Sequence, residues 1–197
     1  MKSWSKRWRA YWDNLKAQEL DRLAAHEAGH TVLFWFSPDI AVVENVRIDH
    51  GRGGQTLGIR NYRRSLTADG RWDRLASDLA GLAAEMAVYS AVQARGSTND
   101  LLEARDEARE VIGQFGLVSC PWNDPRPPDL LDIGAMFVSR PETEVCVALR
   151  LAYARARLTL DEKRWAFEAI RKALLDKREL ATTDLNSLLG ARPWFIN

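Results

Sequence analysis

A chain of 197 residues with 46% hydrophobic and 28% charged side chains is sized for one domain with an ordinary core, or for one domain with a helical extension. Its formal net charge of +1 gives no whole-chain electrostatic argument for nucleic acid or for an acidic membrane surface. Two cysteines, Cys120 and Cys146, are too few for a disulfide framework and lack the spacing of a structural zinc site, so reduced thiols in a cytoplasmic protein are expected.

The N-terminal residues Met1 to Trp8 are basic without an apolar segment, which argues against a secretory signal. Residues 4–36 read as helix: Trp4, Trp8 and Trp12 recur every fourth residue, and Leu15, Leu20 and Leu23 continue the apolar stripe. Residues 1–20, with Lys2, Lys6, Arg7 and Arg9, form a basic, Trp-rich segment expected to pack on the domain, a membrane-surface or partner-docking helix being the alternative. Residues 21–197 are the expected domain proper. The apolar run Val32 to Phe36 is too short to cross a bilayer, so no transmembrane segment is expected. Ser37-Pro38-Asp39 breaks the helix.

Residues 42–62 change character. Val42, Val43, Val46 and Ile48 are β-branched, Gly51, Gly53 and Gly54 supply a turn, and Leu57, Ile59 and Tyr62 follow, which predicts a hairpin or small sheet. From about Ala68 the chain is helical again, with Leu75, Leu79, Leu82, Met86 and Tyr89 on one face. Gly96-Ser97-Thr98-Asn99 is a stop followed by N-cap chemistry, and a helix from about Asp100 to Phe115 ends at Gly116. Four prolines in residues 119–134 predict a long loop. Helices follow over about 142–158 and 161–177, then a short one from Thr182-Thr183 to Gly190. The predicted fold is mainly α, a helical bundle with one small β-hairpin or sheet element. No GxxxxGK[ST] segment occurs, so a P-loop ATPase is not expected in the chain.

One segment carries chemistry. His26-Glu27-Ala28-Gly29-His30 puts two imidazoles one helical turn apart on one face, spaced to share a metal ion at about 2.0–2.1 Å. Glu27, one residue round from His26, falls beside the open coordination position of such an ion, where it can act as general base toward water. The chain has three histidines and two are here, inside an apolar helical pattern. Gly29 within a helix costs about 1 kcal/mol relative to Ala, so its presence suggests close approach of something to that face. A catalytic zinc takes a third protein ligand. His50 is better read as an exposed turn residue; Glu85, Asp100, Glu103 and Asp106 remain as carboxylate candidates.

Ala25 to His30 resembles the active-site helix of the FtsH-type ATP-dependent zinc proteases, and the likeness continues in order. Val46-Arg47-Ile48 with Gly58 is similar to that family's β segment, and Gly81-Leu82-Ala83-Ala84-Glu85 to its GxAAE helix. Gly96 to Leu101, then Ala104, Ala108-Arg109 and Phe115-Gly116, resembles its GAxNDL…A…AR…YG stretch. Leu174-Leu175 to Glu179-Leu180 resembles the closing helices, so the likeness spans roughly residues 20 to 190. It implies that Asp100 is the third zinc ligand; a carboxylate in the first turn of a helix is also favoured by the helix dipole. Glu85 then becomes a residue behind the ligands, holding a histidine in its tautomer, or else a simple ion-pair partner. Asn99 either orients Asp100 or caps the helix, the cap being favoured.

The resemblance also implies a ring hexamer and an AAA ATPase module with membrane spans, but this chain shows neither module nor spans. Val118-Ser119-Cys120-Pro121-Trp122 departs from the family's usual continuation. The expected function is therefore a stand-alone, ATP-independent zinc endopeptidase acting on unfolded or flexible protein segments. His26, His30 and Asp100 hold Zn2+ and Glu27 serves as base. The alternative is a non-catalytic or partner-dependent interaction module, paired with a separate AAA-type protein. A homo-oligomer is compatible with either reading; nucleic acid is not an expected partner.

Overall fold

The computed structural model describes residues 2–37, 40–60, 67–92, 97–113 and 143–193. In chain order these form α1 (Lys2–Phe36), β1 (Ile40–Asp49), β2 (Gly53–Arg60), α2 (Ala68–Asp78), α3 (Ala80–Tyr89), α4 (Thr98–Gly113), α5 (Thr143–Glu162), α6 (Arg164–Lys177), β3 (Glu179–Ala181) and α7 (Thr182–Leu189). The fold is mainly α with one small antiparallel sheet of strand order β2-β1-β3. The proline-rich stretch 119–134, Gly116 and Cys120 lie outside the described residues.

The C-terminal half of α1 is the axis of the molecule. Residues 24–33 are buried on every side, packed among α3, α6, β1 and β2. A helix covered all round needs no polar face, and here its small residues decide how near the neighbours come. Ala24, Ala25 and Ala28 are fully buried, and a Cβ added at Gly29 would stand 2.5 Å from the Ala80 carbonyl oxygen and 2.7 Å from the Ala84 Cβ. The close approach expected at Gly29 is therefore that of α3. Val32, Leu33 and Trp35 fill the core beyond; a side chain of this kind contributes about 1.5–3 kcal/mol when fully buried.

The N-terminal half differs from expectation. Helix α1 runs unbroken from Lys2, yet residues 6–14 are all exposed, Trp8 at 54% and Trp12 at 55%. These two tryptophans do not pack on the domain. The apolar stripe reaches the core only at Leu20 and Leu23.

Two further departures bear on the site. The helical pattern from Ala68 to Tyr89 is two helices, broken at Leu79 (φ −93°, ψ −1°). β3 adds a third strand, pairing Glu179, Leu180 and Ala181 with Arg47, Val46 and Asn45.

Candidate metal centre

His26 and His30 project from α1 toward α3 and the first turn of α4. Nε2 of His26 lies 3.1 Å from Nε2 of His30 and 2.9 Å from Oδ2 of Asp100, and His30 Nε2 lies 3.5 Å from the same oxygen. Ligand atoms around a tetrahedral zinc at about 2.0–2.1 Å stand about 3.3 Å apart, so the three donors already have the spacing the ion requires. Among the described residues this is the one cluster of three or more such side chains that could hold a metal.

Each histidine is held from behind. The other nitrogen of His26, Nδ1, donates to Glu85 Oε1 at 2.8 Å, and Nδ1 of His30 donates to the Ser77 carbonyl at 2.8 Å. An N–H on each Nδ1 leaves a lone pair on each Nε2, the form that binds a metal. Two such lone pairs facing each other at 3.1 Å beside a carboxylate repel unless a cation lies between them. That is the test of fit, and the residues meet it: His26, His30 and Asp100 suit a zinc ion.

The helix break at Leu79 has a consequence here. In one continuous helix the Ser77 carbonyl would accept the amide four residues on. At this helix end the Ser77 carbonyl accepts the Leu79 N–H and, with its second lone pair, the Nδ1–H of His30. Glycine supplies the remaining room: a Cβ at Gly81 would overlap Cε1 and Nε2 of His26 and stand 2.6 Å from Nε2 of His30. Only a residue without a side chain lets α3 lie so close to the donor atoms.

The electrostatics call for a cation. Burial alone would lower the pKa of His26, but hydrogen bonds to Asp100 and Glu85, with the charges of Glu27 and Asp100, raise it to about 10. His30 is likewise raised by Asp100 against its burial. Burial acts to raise the pKa of Asp100, yet hydrogen bonds from His26 and His30 hold its carboxyl well below the usual carboxylate range. A proton answers this demand when no metal does, and metal binding displaces it.

Glu27 is buried, and its Oε2 accepts a hydrogen bond from the Thr56 hydroxyl at 2.7 Å. The backbone of β2 at Gly54 lies directly against its carboxylate. The sheet thus aims the carboxylate, a role that the HExxH spacing alone does not reveal. Glu85, 2% exposed, also lies 3.5 Å from Arg22 Nε and receives the Ser97 hydroxyl at 3.4 Å.

The other sequence candidates fall elsewhere. His50 sits beyond the end of β1, 3.0 Å from Glu19 Oε2, half-exposed and outside the cluster. Glu103 is exposed, and Asp106 pairs with Arg105 and Arg109 on the outer face of α4. Asn99 lies inside α4, one residue past Thr98, and its side chain is exposed; Ser97, not Asn99, precedes the helix. Sequence reasoning missed Arg22, Ser77 and Thr56. Ser77 and Thr56 carry no motif signal, whereas Arg22, one turn before His26 on the same helix, could have been found from its spacing.

A helix bearing HExxH, with a third possible donor from a second helix and a buried carboxylate beside them, has the layout of a zinc-peptidase centre. The family model of Peptidase family M41 matches residues 14–122. The mouse mitochondrial inner membrane m-AAA protease component AFG3L1 is 29% identical over 91% of this chain and 24% of its own length. The ATP-dependent zinc metalloprotease FtsH of Rhodothermus marinus is 28% identical over 91% of this chain and 27% of its own length, and FtsH 2 of Symbiobacterium thermophilum is 30% identical over 90% and 31%. The chain belongs to peptidase family M41, as an FtsH-type protease domain, and spans about a quarter of the length of these relatives.

Proposed function

We propose that the chain is a zinc-dependent endopeptidase cutting unfolded or flexible protein segments. The observation that carries this is the convergence of three donors from α1 and α4, each histidine fixed in its tautomer, beside a buried carboxylate with no metal-binding duty of its own. A zinc ion held by His26, His30 and Asp100 supplies Lewis-acid polarisation of the scissile carbonyl and of the attacking water. Glu27, aimed by Thr56, accepts the proton that water loses and delivers it to the leaving amine. Asp100 brings one negative charge to the ion, and Glu85 strengthens His26 as a ligand by accepting its Nδ1 proton. Cys146, a buried free thiol, supports a reducing, cytoplasmic setting.

Substrates delivered by an ATPase are the second reading, favoured by one observation. The chain spans about a quarter of relatives whose names include "ATP-dependent". In that reading the site is competent but partner-dependent, and the chain assembles with copies of itself or with an AAA-type protein.

Casein hydrolysis with added zinc, comparing wild type with Glu27→Gln and measuring bound metal in both, tests the proposal. Glutamine keeps the shape and the acceptor for Thr56 but removes the base, so turnover should fall at least about 100-fold with one zinc still bound. Zinc bound by both and casein cut by neither would move the assignment to the partner-dependent reading. No zinc bound by wild type would sink both.

A further inference from the structure

The exposed half of α1 carries three large aromatic side chains within five residues. Trp8, Tyr11 and Trp12 are each more than half exposed, and their rings meet edge to face at centroid distances of 6.1 Å (Trp8–Tyr11) and 5.7 Å (Tyr11–Trp12). They form one continuous aromatic strip, more than half of it open to solvent. In sequence the same spacing extends to Trp4. Three neighbouring aromatic residues are costly to leave in water, so such a strip marks a docking face.

The charge pattern identifies what docks. Residues 2–12 hold four basic residues, Lys2, Lys6, Arg7 and Arg9, and no acidic one. At 100° per residue, Arg7 and Arg9 fall on the two flanks of the Trp8–Tyr11–Trp12 row and Lys6 falls behind it. Among the described residues, none of Lys6, Arg7 and Arg9 has an ion-pair partner. Tryptophan and tyrosine carry an apolar body with a polar tip, and they settle at the level of lipid headgroups. An apolar aromatic row bordered by unpaired cations is the complement of an anionic bilayer surface, where acyl chains lie just below phosphates.

We propose that the first turns of α1 lie in the headgroup region of an anionic phospholipid surface, as a peripheral contact and not a span. No described helix is long and apolar enough to cross a membrane. Because α1 is continuous into the His26–His30 segment, the contact also fixes where that segment sits relative to the anchor: Trp12 and His26 are fourteen positions apart, about 21 Å along the helix axis. Near-neutral whole-chain charge does not oppose this, since only charges within about 10 Å of the surface act on it.

Vesicle co-sedimentation of the full chain tests it, using phosphatidylcholine alone and phosphatidylcholine with phosphatidylglycerol. The chain should bind the anionic vesicles, far more weakly the neutral ones, and less as salt rises. Replacing Lys6, Arg7 and Arg9 together with Glu should weaken binding at least about tenfold, and the Trp8→Ala/Trp12→Ala double variant should weaken it independently to a similar degree. Both variants should keep wild-type zinc binding and melting temperature, since residues 6–14 are exposed and remote from the core. Wild type that ignores anionic vesicles overturns the proposal, as does binding that survives either variant. A wild-type dimer that dissolves in Trp8→Ala/Trp12→Ala, without vesicle binding, assigns the strip to a second copy of the chain instead.

Discussion

His30 shows how much of a metal site is decided behind the ligand. Its Nε2 faces His26 and Asp100 because Nδ1 is held by the Ser77 carbonyl at the end of α2, where the helix breaks. His26 is held by a carboxylate instead, and Glu85 in turn is steadied by Arg22 and Ser97. Gly81 makes the tightest test at this scale. Alanine should raise the intrinsic stability of α3 by about 1 kcal/mol, yet its methyl group overlaps the imidazole of His26. For Gly81→Ala we expect a folded protein whose zinc affinity falls at least about tenfold, measured by chelator competition alongside the melting temperature. Unchanged affinity would mean that α3 can retreat from the histidines.

At the scale of elements, α2 has two duties: its end supplies the Ser77 carbonyl, and its outer side anchors α4. Glu107 of α4, 4% exposed, lies 3.0 Å from Arg71 and 3.1 Å from Arg74 of α2. This pairing holds α4 in place, and with it Asp100. Glu107→Ala removes the buried carboxylate that both arginines share, Arg71 keeping Glu110, and should cost about 3 kcal/mol in denaturant unfolding. Asp78, the last residue of α2, adds a pH dependence. Burial, with the nearby charges of Glu107 and Glu103, pushes its carboxyl up to about 7 despite Arg74 and His30, and among the described residues its Oδ2 has no hydrogen-bond partner. The folded state therefore keeps a proton that the unfolded chain, with a pKa of about 3.9, releases early. Stability from this group is full below about pH 4 and is lost as pH rises toward 7. Asp78→Asn should flatten that decline between pH 4 and 7, followed as melting temperature against pH.

Across the whole molecule, distant parts of the chain close on α1. Arg192 donates to the carbonyls of Phe34, Trp35 and Ser37, capping a helix whose last turn contains no basic residue. Arg171 of α6 and Tyr89 of α3 meet Asp21 of α1, Nη2 of Arg171 at 2.9 Å and the Tyr89 hydroxyl at 2.6 Å. Arg192→Ala should leave buried carbonyls without this donor and lower stability by about 2 kcal/mol, read from chemical unfolding; zinc affinity should change little, since the lost contacts lie beyond Val32. The contacts that close the fold join residues up to 158 positions apart, which no local pattern can announce. β3 is too short, at three residues, for period-two alternation to be visible. The break at Leu79 hid within an unbroken apolar periodicity, because Leu75, Leu79 and Leu82 are buried on both sides of it.

By itself the sequence determined the mainly helical fold with its β1–β2 hairpin, the family, and the pair His26 and His30 with Glu27 between them, because these rest on short-range spacing within single elements. Only the tertiary structure brought Asp100 of α4 to 2.9 Å from His26, put Glu85 and the Ser77 carbonyl behind the two imidazoles, and set Thr56 on Glu27. It also left Trp8 and Trp12 in solvent, where their spacing alone had suggested a packed face. The physical reason is the same in each case. Helical spacing says which side chains share a face, whereas what that face meets depends on where the rest of the chain returns.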